Sequence, residues 1–263
     1  MKPDYKNWMP KEMIAGIAAG TAAVAILFLL FVLGGFPIPE TPRIAFSIIF
    51  GIGLIGMAAL LFWVIVLYRA FGYGGRRQMA RQIIEGTAAY VKLPEGGRGL
   101  DVGCGSGALT IACAKKNPQA AMLGVDRWGK EYASFSKTVC ENNAKAEGVL
   151  NATFQQGNAL KLDFPDETFD AVTSNYVYHN IAGQDRQELL LETLRVLKKG
   201  GTFALHDIMS EAKYGDMEAF VNRLYSMGYE KVGLIDITRG MFMSRKEAKW
   251  LGLAGSALLT GTK

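Results

Sequence analysis

Asp101, Gly103, Gly105 and Gly107 stand in the run LDVGCGSG at 100–107, and Asp126 closes a second short apolar run, MLGVD, at 122–126. An acid ahead of closely spaced glycines, followed one strand–helix–strand unit later by a second acid, can hold a nucleoside. The glycines let backbone come close to the ligand, and the distal carboxylate accepts hydrogen bonds from ribose hydroxyls. The spacing is G-x-G-x-G, unlike the G-x-G-x-x-G that aims a helix N-terminus at a pyrophosphate. Asp101, two residues before the first glycine, would repel a phosphate. It suits a ligand carrying an ammonium group.

The block DVGCGSG followed by GVD resembles the first two motifs of the class I S-adenosylmethionine-dependent methyltransferases. That cofactor joins an adenosine, a sulfonium and an amino-acid tail bearing such an ammonium. The resemblance implies that Asp101 meets the tail amino group, directly or through water. The backbone at Gly103, Gly105 and Gly107 would pass under the tail and ribose, and Asp126 would accept from both ribose hydroxyls. Arg127 or Trp128 would border the adenine, with Trp128 equally at home as a packing residue. A third stretch, QQGNALKLDFPDETFD at 155–170, carries Asn158 and Ala159 where the family usually has an acid followed by a small or apolar residue. An amide oxygen can still accept from the adenine amino group, and the next backbone N–H would meet the ring. The resemblance covers roughly residues 72–210.

Beyond the fourth predicted strand the chain reads SNYVYHNI. By the same resemblance Asn175 and Tyr176 face the sulfonium, and His179 sits at the acceptor side. His179 either takes a proton from an oxygen, nitrogen or thiol nucleophile or holds the loop through a backbone contact. His206 and Asp207 end the fifth strand and read as structural. No catalytic dyad is evident, and displacement on an activated sulfonium can rely largely on positioning.

These residues need strands and helices to carry them. A helix is expected over 76–92, strand one at 99–103, a helix at 107–116, strand two at 121–125 and a helix at 129–147. Strands at 152–156 and 169–175 follow, then a helix at 184–198 stopped by the glycine pair 200–201. A strand at 202–208, a helix at 214–227 and strands near 231–238 and 256–262 complete the chain. Strands alternating with helices predict a mainly parallel α/β sheet covered on both faces. The closeness of the last two strands makes at least one antiparallel. Seven strands in the Rossmann-like methyltransferase arrangement are what the resemblance adds.

Ahead of this pattern, residues 13–39 and 44–68 carry no charge. Each stretch exceeds the roughly 20 residues that cross a bilayer core, and GGFPIPETPR between them is a turn. Residues 1–69 are therefore expected to be a membrane anchor with two transmembrane helices, about 13–35 and 44–68. Residues 70–263 would form the methyltransferase domain. Lys2, Lys6 and Lys11 precede the first span, Arg69, Arg76, Arg77 and Arg81 follow the second, and the turn holds only Arg43. The positive-inside rule then puts both termini and the domain in the cytoplasm. Gly16 and Gly20, with Gly51, Gly53 and Gly56, either pack the hairpin or support a homodimer.

The net charge of +5 comes with no basic cluster interleaved with aromatics, so nucleic acid is not an expected partner. Cys104, Cys113 and Cys140 lack C-x-x-C spacing and the chain has two histidines, so no metal site is expected. The function that follows is transfer of a methyl group to a small lipophilic or membrane-associated acceptor beside the lipid bilayer. The alternative is a non-enzymatic membrane protein that senses S-adenosylmethionine or scaffolds a partner. The topology is open to direct test. A membrane-impermeant maleimide should label a Thr41→Cys variant in intact cells, and a cysteine placed at either terminus should react only after lysis. The reverse pattern would overturn the orientation.

Overall fold

The computed structural model describes residues 2–34, 37–129 and 134–263. The chain divides into two compact units, one of residues 7–80 and one of residues 2–6 with 81–263.

The first unit is a helical hairpin. Its helices α1 (Lys11–Val32) and α2 (Glu40–Ala70) are long and apolar enough to cross a membrane by length and composition. At 1.5 Å per residue they span about 33 and 46 Å. No residue of α1 is buried, and in α2 only Val64, Leu67 and Ala70 are, which is not the burial of a soluble core helix. The two run antiparallel. A Cβ on Gly20 would come within 3.2 Å of Met57, one on Gly53 within 3.7 Å of Val24 and one on Gly51 within 3.1 Å of Phe28. The Phe31 ring stacks on Phe46 and Phe50, with centroids 4.9 and 5.3 Å away. Three of the five glycines thus let the hairpin close on itself, whereas Gly16 and Gly56 face open space. Asn7 donates to the Tyr68 carbonyl at 2.7 Å, joining the segment before α1 to the end of α2.

The second unit holds a seven-stranded sheet. In chain order the elements are α3 (Met79–Ala88), β1 (Arg98–Val102), α4 (Ala108–Lys116), β2 (Ala121–Asp126), α5 (Lys137–Ala146), β3 (Ala152–Gln156) and β4 (Phe169–Asn175). They continue as α6 (Arg186–Arg195), β5 (Leu197–Ile208), α7 (Glu211–Tyr214), α8 (Met217–Ser226), β6 (Glu230–Asp236), α9 (Arg245–Trp250) and β7 (Ser256–Thr262). The strand order is β3-β2-β1-β4-β5-β7-β6, with β7 antiparallel to both its neighbours and the other pairings parallel. This is the expected mainly parallel α/β sheet with flanking helices. Its core is built from the central strands, where Leu100, Val102, Val172, Phe203 and Leu205 are at most 1% exposed. The order reverses between β1 and β4, so the loops after these two strands open a crevice at their carboxyl ends.

Local differences from the expected elements have identifiable causes. The helix expected over 129–147 begins at Lys137, where the Ser136 hydroxyl caps it by accepting from Val139 N–H at 3.2 Å; residues 130–133 of that expectation lie outside the described residues. The helix expected to reach 198 ends at Arg195. The Val196 carbonyl already accepts from Thr168 and Phe169, which commits the chain to β5. Gly200 and Gly201 are consequently not a helix stop but part of β5, opposite an irregular register between Phe169 and Ala171. The helix expected over 214–227 is broken into α7 and α8, with Asp216 capping the second. The short α9 was not expected from the pattern; Ser244 caps it.

The sheet buries carboxyl groups, Asp101 of β1 among them. Asp101, 1% exposed, accepts from the hydroxyls of Thr110 at 2.6 Å and Thr173 at 3.0 Å. Burial raises its pKa to about 7, against the lowering effect of the two hydroxyls. The unfolded chain loses this proton near pH 4, so between about pH 4 and 7 the folded state binds more protons and stability falls as pH rises. An Asp101→Asn variant lacks this slope. Its melting temperature relative to wild type should climb from pH 5 to pH 7 and level off above; a pH-independent difference would show that Asp101 is ionised throughout.

Candidate functional site

The loop after β1 is fixed by the end of β2. Gly103 and Cys104 both donate to the Val125 carbonyl, at 2.8 and 3.0 Å. Asp126 then takes the Gly105 N–H on one carboxylate oxygen at 2.8 Å and the Trp128 N–H on the other at 2.7 Å. Trp128 returns an indole N–H to the Gly105 carbonyl at 3.0 Å. Asp126 and the glycine loop, twenty-one residues apart in sequence, are therefore one object. Each carboxylate oxygen keeps a second lone pair for a hydroxyl.

The glycines divide by role. A Cβ on Gly103 would lie 2.3 Å from Val177, and one on Gly107 would lie 2.9 Å from Phe154, so these two are required by the protein's own packing. Gly105 has a φ of +54° and nothing within 4 Å of where its Cβ would be. The open side of the loop is at Gly105, beside Asp126. That place offers a carboxylate and a backbone that carries no side chain. Asp101 lies below the loop with both oxygens engaged by threonines.

The remaining cofactor candidates fall into two groups. Gly157 N–H donates to the Asp126 carbonyl at 3.0 Å, which brings the loop after β3 to the end of β2. Asn158, next in the chain, is exposed and spends one lone pair of its amide oxygen on Leu160 N–H at 3.0 Å. Ala159 packs against the core. Arg127 is exposed beside Asp126. Asn175 lies on the other side of the switch point, at the end of β4, with its oxygen 2.7 Å from His206 Nδ1.

Asn175 opens a polar cluster at the ends of β4, β5 and β7. Tyr176 adopts a φ of +56°, a strained conformation for a non-glycine residue. Its hydroxyl meets Ser256 at 2.8 Å, and its ring packs edge-on against His206 and His179, with centroids 4.5 and 5.8 Å away. Burial pushes the Tyr176 phenol above its ordinary value, so it stays protonated at neutral pH and orients rather than accepts a proton. His206 is 1% exposed, and burial lowers its pKa to about 4, leaving it neutral. With Nδ1–H donated to Asn175, its Nε2 is a buried acceptor without a partner among the described residues.

His179 sits on a 3-10 turn, Tyr178–Asn180. Its Nδ1 lies 2.5 Å from Asp207, and its side chain keeps 15% exposure. Asp207 is fully buried. It also accepts from the N–H groups of Tyr178 (2.8 Å), His179 (3.2 Å) and Ile208 (2.7 Å) and from the Tyr214 hydroxyl (2.8 Å). Burial alone would raise this carboxyl, but His179 and Tyr214 outweigh it and the net shift is downward. An ionised Asp207 keeps the proton of His179 on Nδ1 and leaves Nε2 as the basic nitrogen. The pair is a dyad that sequence reading missed. The one sequence signal was a charged residue ending the apolar run of β5; that it faces the turn after β4 is a consequence of strand pairing. Among the described residues no cluster of His, Cys, Asp or Glu could hold a metal ion.

A family model described as a methyltransferase domain matches residues 100–205. An uncharacterized methyltransferase of Schizosaccharomyces pombe is 37% identical over 114 residues, 43% of this chain and 39% of that protein. The uncharacterized methyltransferase YcgJ of Bacillus subtilis is 31% identical over 153 residues, 57% of each chain. The demethylmenaquinone methyltransferase of Bacillus subtilis is 28% identical over 171 residues, 61% of this chain and 71% of that one. The chain thus spans about half the length of the first two relatives. Two solved structures share the fold. The (4+2)-cyclase SpnF has a TM-score of 0.55 at 22% identity, covering 73% of this chain and 83% of that one. A geranyl diphosphate methyltransferase in complex with GPP and sinefungin has a TM-score of 0.52 at 13% identity, covering 70% and 82%. Strand order and family match agree: residues 100–205 match a methyltransferase domain, set in a sheet of the methyltransferase-like arrangement.

Proposed function

We propose that this chain is a membrane-anchored methyltransferase that carries a methyl group from S-adenosylmethionine to a small lipophilic acceptor. The observation that carries the reading is the pairing of two half-sites across β1 and β4. On one side lie Gly105 and Asp126, suited to a nucleoside. On the other lies His179, with its proton held on Nδ1 by Asp207. When bound, the cofactor supplies a sulfonium whose methyl is open to displacement. Asp126 binds the ribose hydroxyls, Asn158 and the Ala159 N–H read the adenine, and Asp101 acts on the tail through the loop or a water. His179 Nε2 accepts the proton that the acceptor loses as it is methylated. Tyr176 and Asn175 form the wall between the two.

The anchor reading rests on α1 and α2, whose exposed faces are apolar along both helices. Lys2, Lys6, Lys11, Arg69, Arg76 and Arg77 flank them. Residues Asp4 and Tyr5, ahead of α1, pack within the catalytic unit. The chain before the first helix and the domain after the second then share one side, as two crossings require. The basic residues make that side cytoplasmic. The glycines left open at 16 and 56 offer a face for a homodimer in the bilayer. Relatives named demethylmenaquinone methyltransferases support a demethylated quinone as the first acceptor to test.

The full-length protein in phospholipid vesicles, given methyl-labelled S-adenosylmethionine and demethylmenaquinone or a total lipid extract, should move label into the organic phase. His179→Ala should lower that turnover about a hundredfold, the scale of a lost general base, with unchanged affinity for S-adenosylhomocysteine. Label that stays entirely in water-soluble product would remove the lipophilic acceptor. Full turnover in the His179 variant would return that residue to a structural role.

A further inference from the structure

Residues Asp4 and Tyr5 precede α1, yet they are built into the wall of the glycine loop. Asn143 on α5, 2% exposed, accepts from Asp4 N–H at 2.7 Å and donates to the Asp4 carbonyl at 3.0 Å. Its amide also donates to the Ser106 carbonyl at 3.0 Å. Ser106, between Gly105 and Gly107, donates its hydroxyl to the Tyr5 carbonyl at 2.7 Å. Tyr5 is 6% exposed, and its hydroxyl reaches Glu147 at 3.1 Å, a carboxylate also held by Lys115 at 2.7 Å. The segment thus closes a ring of hydrogen bonds through Ser106 and Asn143. Backbone groups make the links to Ser106 and Asn143, and the buried Tyr5 side chain with its bond to Glu147 seats the segment.

From this geometry we infer that Asp4 and Tyr5 are positioning residues of the cofactor site. They hold Ser106, and with it the open Gly105 turn, in the conformation that receives the ligand. The inference rests on the reading of that loop as an S-adenosylmethionine site. Without the segment, the Ser106 hydroxyl and one side of the buried Asn143 amide lose their partners. A buried amide left unsatisfied is costly, so the loop relaxes to find other donors and acceptors. Ligand binding must then restore the receptive form, and affinity falls by the fraction in which it is populated. In the chain, α1 begins six residues after Tyr5. Deleting residues 1–68 therefore removes part of the cofactor site. A truncation designed only to release the domain from the membrane would lose cofactor affinity as well.

The test is calorimetric titration of the full-length protein, in lipid nanodiscs, with S-adenosylhomocysteine. Removing residues 2–5, or substituting Tyr5→Ala, should weaken binding about tenfold, the scale of one or two lost hydrogen bonds. The far-ultraviolet circular dichroism should be unchanged. Ser106→Ala should weaken binding in the intact chain and add nothing in the deletion background, because its partner is then already absent. A melting temperature that drops while affinity stays within twofold of wild type in both variants would make the segment merely structural and overturn the inference. So would an undiminished Ser106→Ala effect in the deletion background. Wild-type protein that takes up no ligand at all would instead strike the cofactor site itself, and this inference would fall with it.

Discussion

The hydrogen bond from Gly105 N–H to the Asp126 carboxylate is the constraint on which the site depends. It links the turn after β1 to the tip of β2. The Val125 carbonyl secures the two preceding residues, so the loop cannot move without breaking the edge of the sheet. The same carboxylate fixes Trp128, whose indole closes back on the loop. The acid proposed to bind the nucleoside is thus also the group that shapes the turn beside it. This economy has a cost. Only one lone pair per oxygen is left for a ligand, and any change at Asp126 alters both halves at once.

A second carboxylate organises the opposite edge by different means. Asp207 is buried beneath the turn that follows β4 and gathers donors from that turn, from its own strand and from α7. Burying an ionised group is tolerable because each donor offsets part of the lost hydration. The outcome is a His179 ring with a fixed tautomer, set beside a tyrosine and a neutral histidine. Asp101 shows the contrasting case. Its two partners are neutral hydroxyls, and burial wins, raising its pKa to about 7. Asp101 and Asp207, both buried, are therefore shifted in opposite directions, decided by their donors.

The loop and acid of the proposed cofactor half were legible in the sequence because they are local to two short motifs. The positions of Asp101, Gly103, Gly105, Gly107 and Asp126 follow from a strand, a turn and a helix whose boundaries the hydrophobic pattern marks within a residue or two. The seven strands were visible for the same reason. What pattern could not reveal was pairing at a distance. Asp207 and His179 are twenty-eight residues apart and meet only because β4 and β5 are neighbours. Asp4 and Asn143 are 139 residues apart. Gly200 and Gly201 carry the composition of a helix stop but sit in a strand, since tertiary pairing at Val196 overrode the local signal. Asn158 departs from the acid usual in the resembling family, and its exposed Asx turn gives no sign of a lost partner.

Whether the pinned loop holds a nucleoside sulfonium rather than a dinucleotide is the point from which every other functional statement follows. Titrating the full-length protein in nanodiscs with S-adenosylhomocysteine, and separately with NAD, decides it in one experiment. Saturable binding of S-adenosylhomocysteine that NAD does not displace is the expected result. Binding of NAD at the same site, or no uptake of S-adenosylhomocysteine by folded protein, would contradict it.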